Sequence, residues 1–343
     1  MPTATASFAL RLLERLRGEQ VVLSPSSIHA ALMALRPGVS GAAAAALDEV
    51  LGPPPEVGEI DADGVVLALA QAVWVAKDRE VLADLGIDVR KLDFRDPGAP
   101  KVVNAWAAEN TRGMIPKVVD RFESDVVFAL ADAIYFDGAW TEPFDPERTE
   151  PCPFHRPAGD AVQVPTMHAD GSFEYFEDDE LQAVRLPYGN DGDIRFVAVI
   201  AREGLEPPTV SDWAALRTAH RTGSIAVPRF RATTDIELGD PLTALGLGPV
   251  FTAGQDFDGL FSGGEPKALG SVLHSALVDV DERGTRAAAV TVVTAVAASY
   301  RPETPFELRL DRPFLWAIED RRTGTLLFLG IVTDPTQTSE EST

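Results

Sequence analysis

The chain has 343 residues and carries 53 acidic against 30 basic side chains, a formal net charge of −23. With no Lys/Arg run, that balance argues against nucleic acid or a heparin-like polyanion as partner, and no apolar run reaches the ~18 residues that a membrane-spanning helix needs. Cys152 is the only cysteine, so an internal disulfide is excluded. Hydrophobic residues make up 45% of the sequence, enough for a large core. Length by itself suggests two domains. The first residues lack a clean apolar segment with a cleavage site, so the expectation is a cytoplasmic protein or a secreted one whose signal has been removed.

Residues 8–16 place Phe8, Leu12, Leu13 and Leu16 at helical spacing and predict a first helix. Ser24 offers an N-cap, and Pro25 an early position, for a second helix that Pro37 and Gly38 end. Ser40 and Gly41 open a third, which stops at Gly52. A Pro-rich acidic loop, residues 53–64, precedes an apolar strand at 65–75. Asp61 and Asp63 lack further ligands at the spacing of a calcium loop, so no metal is expected there. Residues 104–115 predict a helix ended at Gly113, and residues 128–136 a second apolar strand. The acidic stretch 174–180 has the composition of a solvated surface. Residues 184–188 and 194–200 predict a strand pair about a turn at 189–192. Residues 235–260 are Leu-rich with the amphipathic spacing that a helix would show. Residues 270–280 predict a strand, 306–310 an alternating edge strand, and 313–317 with 326–332 a buried hairpin about 321–324. Residues 337–343 form a polar tail.

Between the strands at 270–280 and 306–310 lies the least usual stretch of the chain. Asp279, Asp281 and Glu282 lead to Gly284, and residues 285–300 then contain no Pro, no Gly and a single charge, Arg286. Such a run has high β-propensity and exceeds the length of an ordinary strand. Exposed, it would be an aggregation hazard, so it needs somewhere to go. Odd positions from Thr285 through Ala287 and Ala289 to Ala297 are all small or β-branched and uncharged. In a strand they share one face, and Arg286 points to the other. Gly284 has the backbone freedom of a hinge.

The run DVDERGTRAAAVT at 279–291, with VLHSALV before it and RPFLW after it, resembles the hinge and reactive-loop region of the serpins. The likeness extends to SPSSI at 24–28, to Asn104, Trp106, Thr111, Gly113 and Ile115, and to AIYF at 133–136 with Gly138, Trp140, Phe144 and Thr149. It continues through Phe154, Val164, Pro165 and Met167, VPRF at 227–230, which resembles the strand before the family's Leu-rich helix, that helix at 235–260, and Asp334-Pro335-Thr336. The resemblance covers about residues 8–336. It implies an α+β serpin fold: a large central mixed β-sheet with further sheets, surrounding helices and an exposed reactive-centre loop. It also implies a single domain over residues 1–336, which overrides the length prior. Carried over residue by residue, it places Glu282, Gly284, Thr285, Ala287 and Ala289 in the hinge and the reactive bond at Ala298–Ser299, with Tyr300 as the alternative. It places Ser24, Ser27, Asp132 and His274 in the shutter, the polar region beneath the main sheet. Two departures stand out. Arg286 replaces a commonly acidic residue, and Asp132 stands where the family usually has Asn. A buried carboxyl is disfavoured as a charge, so a His274–Asp132 pair would make sheet opening pH-sensitive.

The sequence contains no GxSxG elbow, P-loop, HExxH or paired-Cys motif, and Cys152 sits between two prolines with no evident base. Nothing argues for an enzyme, and no cofactor is expected. The resemblance implies an inhibitor of prokaryotic type that offers residues 285–300 as bait and is acylated by a serine protease. The hinge then inserts into the main sheet and traps the protease covalently. The partner implied is a protease of chymotrypsin or elastase type, met by a monomer. Small residues before Ser299 suit a small pocket, Tyr300 suits a chymotrypsin-like one, and the lack of Lys or Arg near the bond before Arg301 argues against a trypsin-like enzyme. The competing class is a non-inhibitory serpin, a binding or carrier module. Such members tend to carry Pro or bulky charges in the hinge, whereas this hinge is permissive apart from Arg286.

Overall fold

The computed structural model describes residues 4–16, 20–55, 60–62, 64–123, 126–211, 213–263, 267–285 and 305–337. Helix α1 (Ala4–Arg15) buries Phe8, Leu12 and Leu13, the residues whose spacing predicts it. After strand β1 (Val21–Leu23), Ser24 caps α2 (Pro25–Ala34): its Oγ accepts the Ser27 N–H at 3.4 Å, and Pro25 fills a first-turn position where no N–H is needed. Helix α3 (Gly41–Val50) follows, with its Ala43 N–H donating to Asp256 Oδ2 at 2.9 Å. Then come β2 (Ile60–Ala62), β3 (Val65–Ala76), β4 (Asp88–Leu92), α4 (Ala99–Asn110) and β5 (Phe128–Ala139). They are followed by β6 (Glu150–His155), β7 (Ala161–Glu177), β8 (Leu181–Tyr188), β9 (Ile194–Ala201), β10 (Ala219–Pro228) and β11 (Phe230–Glu237). A single turn, α5 (Gly239–Leu242), leads on to β12 (Ser271–Asp281), the two-residue β13 (Gly284–Thr285), β14 (Phe306–Arg309), β15 (Phe314–Asp320) and β16 (Thr325–Val332).

These strands form two sheets. The first runs β1-β16-β15-β9-β8-β7-β10-β14, with β6 added to β7. Every residue of β15 and β16 is buried, as the apolar hairpin at 313–332 predicts. The second runs β11-β12-β13-β5-β3-β2, with β4 added to β3 and with β12 also paired directly to β5. Within this second sheet, neighbours are antiparallel except β3–β4 and β5–β12.

Strand alternation decides what each face of the second sheet meets. Leu130, Ile134 and Phe136 of β5 face the core shared with the first sheet. Ala129, Ala131, Ala133 and Tyr135 face the other way, toward α4. The small residues on that side let the helix come close, and Trp106 of α4 meets Trp74 of β3 edge to face at 5.8 Å. Asn104 ties down the chain beyond the helix: its Oδ1 accepts the N–H groups of Val118 and Val119 at 2.8 and 3.0 Å, and its Nδ2 donates to Val119 O at 2.9 Å.

Four expectations need correction. The helix predicted over 104–115 begins at Ala99 and ends at Asn110, before the turn that Gly113 closes at φ 78°. The strand predicted at 227–230 is a junction, with β10 ending at Pro228 and β11 starting at Phe230. The Leu-rich segment 235–260 is not one helix: its first residues complete β11, and Gly246 at φ 110° and Pro249 break the rest into short turns. Breakers there outweigh leucine spacing. The acidic stretch 174–180 is also more structured than its composition suggests, since it ends β7, buries Tyr175 and pairs Glu174 and Glu177 with Arg195, Arg202 and Arg221.

Asn104→Ala leaves two part-buried backbone donors without their acceptor, at a cost of about 1–3 kcal/mol. The urea midpoint should fall accordingly. An unchanged midpoint would mean that packing alone holds the segment after α4.

Candidate functional site

The two parallel strands at the centre of the second sheet define the site. β5 and β12 pair directly from Ala129↔Ser271 to Tyr135↔Leu277. Beyond that point they part, and β13 lies between them, antiparallel to both. Thr285 is opposite Gly138 on one side and Val280 on the other, and Gly284 is opposite Ala139 and Asp281.

Close approach dictates the residue types here. Gly284 has φ +149°, and a Cβ on it would stand 2.0 Å from Gly138 O and 2.8 Å from Ala139 Cα, so no other residue fits without moving the strand. Thr285 is fully buried, with its Oγ1 2.5 Å from the Tyr188 hydroxyl. Tyr188 stacks on Trp140 at 4.3 Å and 9°. Burial pushes the Tyr188 hydroxyl well above its ordinary pKa, opposed by the Thr285 bond, so the phenol is neutral. Trp140 Nε1 donates to Asp281 O at 2.9 Å, and the backbone N–H groups of Trp140 and Phe144 donate to Arg283 O and Glu282 O, each at 2.9 Å. The turn between β12 and β13 is thus docked on the chain that leaves β5.

Glu282 anchors that turn. Its buried carboxylate accepts Thr149 Oγ1–H at 2.5 Å and Arg229 Nε–H at 2.7 Å, and Arg229 Nη2 donates to the same oxygen. Burial disfavours its charge, but Arg229 and Thr149 outweigh burial and hold the carboxyl below the ordinary glutamate value.

Lower in the same seam, Asp132 of β5 and His274 of β12 are register partners, and both are buried. His274 Nδ1 and Asp132 Oδ2 are 2.8 Å apart. The Ser24 N–H donates to His274 Nε2 at 3.1 Å, so the imidazole proton sits on Nδ1 and is directed at Asp132. Ser27 Oγ donates to Asp132 Oδ1. Gln71 Nε2 donates to Ser27 O at 2.8 Å and lies 3.1 Å from Ser27 Oγ and 3.4 Å from Asp132 Oδ1. The first turn of α2 and strands β3, β5 and β12 therefore meet in one buried polar cluster. Such a group is tolerated in an apolar interior only when its members satisfy one another.

The structure brings Ser24, Ser27, Asp132 and His274 together and seats Glu282, Gly284 and Thr285 at the top of the same seam. Ala287, Ala289, Ala298, Ser299 and Tyr300 lie outside the described residues. Sequence reasoning missed Gln71, although it is the one polar residue in the apolar run 65–75. It also missed the contacts of Tyr188 and Arg229, which carry no local signal.

Because the folded Glu282 pKa is lowered, its stabilisation is fully present above the unfolded value of about 4.3 and is lost as pH falls through the folded value. Glu282→Gln should cost about 1–2 kcal/mol at pH 7, read as a lower thermal midpoint, and the difference from wild type should shrink as pH falls through the folded value. Equal midpoints at pH 7 would count against this anchor.

A family model described as Serpin (serine protease inhibitor) matches residues 3–335. An uncharacterised serpin-like protein of Thermococcus kodakarensis is 30% identical over 366 residues, covering 97% of this chain and 85% of that protein. Among solved structures, the native state of the thermophilic serpin tengpin superposes with a TM-score of 0.84 at 24% identity, over 96% of this chain and 93% of that one. Thyroxine-binding globulin in complex with thyroxine superposes at 0.82 with 23% identity, over 98% and 99%. The architecture is the α+β serpin fold, and with a family model spanning nearly its whole length the chain belongs to the serpin family.

Proposed function

We propose that this serpin is a suicide inhibitor of serine proteases of chymotrypsin or elastase type, acting as one domain over residues 1–336. The observation that carries this reading is the strand Gly284–Thr285, already seated between β5 and β12 and antiparallel to both. A protease serine attacks the Ala298 carbonyl, the Ala298–Ser299 bond breaks, and an acyl-enzyme remains on Ala298. The freed segment then continues the course that Thr285 begins. Thr285 is fully buried, and by strand alternation Ala287 and Ala289 follow it onto the same inward face, while Arg286 points outward.

The energetics support insertion. One parallel ladder is exchanged for two antiparallel ones, and antiparallel pairing is slightly the more stable per residue. About a dozen inserted residues form on the order of 20 hydrogen bonds, roughly 10–30 kcal/mol at about 0.5–1.5 kcal/mol each, before the ordering cost. The uncleaved state is accordingly held by a barrier rather than by depth. Opening the seam adds a strand spacing of about 4.8 Å between β5 and β12, and the 2.8 Å contact between His274 and Asp132 cannot persist unchanged across it.

Incubation with chymotrypsin or pancreatic elastase should give an adduct stable on denaturing gels, with a released C-terminal peptide that begins at Ser299. Cleavage with neither an adduct nor a gain in thermal stability would favour the carrier reading, in which the loop never inserts. Ala287→Arg should convert the inhibitor into a substrate, because on the inward face of the inserted strand an unpaired guanidinium costs several kcal/mol that the uncleaved state does not bear. Covalent trapping by this variant at the wild-type rate would refute the assignment of the inward face.

A further inference from the structure

The hairpin of β6 and β7 holds a cluster that protease trapping leaves unused. β6 pairs with β7 as Glu150↔Thr166 and Cys152↔Val164, and β7 runs on to His168. Alternation puts Glu150, Cys152 and His168 on one face of the sheet. Cys152 Sγ lies 3.7 Å from His168 Nε2, which in turn is 3.8 Å from Glu150 Oε1. The three donor atoms all fall within 4.8 Å of one another. Cys152, which the sequence leaves without an evident base, thus has an imidazole beside it.

We infer that Glu150, Cys152 and His168 form a site for one divalent transition-metal ion of the zinc class. A thiolate, an imidazole and a carboxylate are the donor types such an ion takes. With bonds of about 2.3 Å to sulfur and about 2.0–2.1 Å to nitrogen, a tetrahedral centre sets its S and N ligands about 3.5 Å apart. The observed 3.7 Å needs a shift of only a few tenths of an ångström. A cleft of about 70 Å³, lined by Cys152, Thr166, His168 and Arg309 among others, adjoins the donors and has room for water as a fourth ligand. Glu150 is exposed, and Cys152 and His168 are half-buried, so the ion has a path in. Charge also closes: the thiolate and the carboxylate balance the dication. Arg309, on the row His168–Ala226–Arg309, is met separately by Glu307 at 2.7 Å. Binding converts the thiol to a metal thiolate, releases its one proton to solvent and involves no redox change.

The test uses the full chain, stripped with a chelator and titrated with Co²⁺. The expected result is a thiolate-to-cobalt charge-transfer band that saturates at one equivalent and is displaced by Zn²⁺, with about one proton released per ion. Cys152→Ser should abolish the band. His168→Ala and Glu150→Gln should each weaken binding by at least the ~10–100-fold that loss of an outer-shell partner costs. All three side chains are partly or fully exposed to solvent, so the metal-free thermal midpoints should stay at the wild-type value. A chain that shows no thiolate band with Co²⁺, or a band that survives both His168→Ala and Glu150→Gln, overturns the site. Neither outcome depends on whether the chain traps a protease.

Discussion

The parallel pairing of β5 with β12 is the constraint on which the rest of this structure depends. Their direct ladder stops at Tyr135 and Leu277, and the chain after β12 turns back into the space above it. The strand that enters there, β13, runs antiparallel to both neighbours. What keeps the lower seam shut is in part polar. Asp132 and His274 face each other across it, and Ser24, Ser27 and Gln71 complete their bonds. An apolar seam would resist opening with non-directional contacts. This one contains bonds of fixed geometry, which any separation of β5 from β12 at that level would have to break.

At the top of the seam a third strand is already admitted. Gly284 is needed because its backbone lies against Gly138 and Ala139, and Thr285 is small enough to enter and polar enough to meet Tyr188. Trp140 supports Tyr188 from one side and the turn carbonyl of Asp281 from the other. Glu282 binds the turn to Arg229, at the junction where β10 passes into β11. One short stretch of chain is thereby tied to both sheets.

Away from the seam, long-range partners complete what local chemistry begins. Ser24 caps α2 from within its own segment, but the N-terminus of α3 is met by Asp256, which lies far along the chain. The same holds for the β6–β7 cluster, where pairing across a hairpin brings His168 of β7 to Glu150 and Cys152 of β6. Each of these contacts follows from sheet register or helix docking, and each would be lost by a one-residue slip.

By itself the sequence determined the apolar strands, the capped start of α2, the β8–β9 and β15–β16 hairpins and the small-residue alternation after Gly284, because these rest on interactions between near neighbours in the chain. It also pointed to Ser24, Ser27, Asp132 and His274 by resemblance, and paired His274 with Asp132, without saying what the two serines touch. Tertiary structure alone decided that Gln71 joins the buried cluster and that Tyr188 receives Thr285. The reason is physical: periodicity reports which face of an element is apolar, but not which remote residue lies opposite. Hydrogen bonds such as that between His274 and Asp132, 142 positions apart, exist only once strand order and register are set.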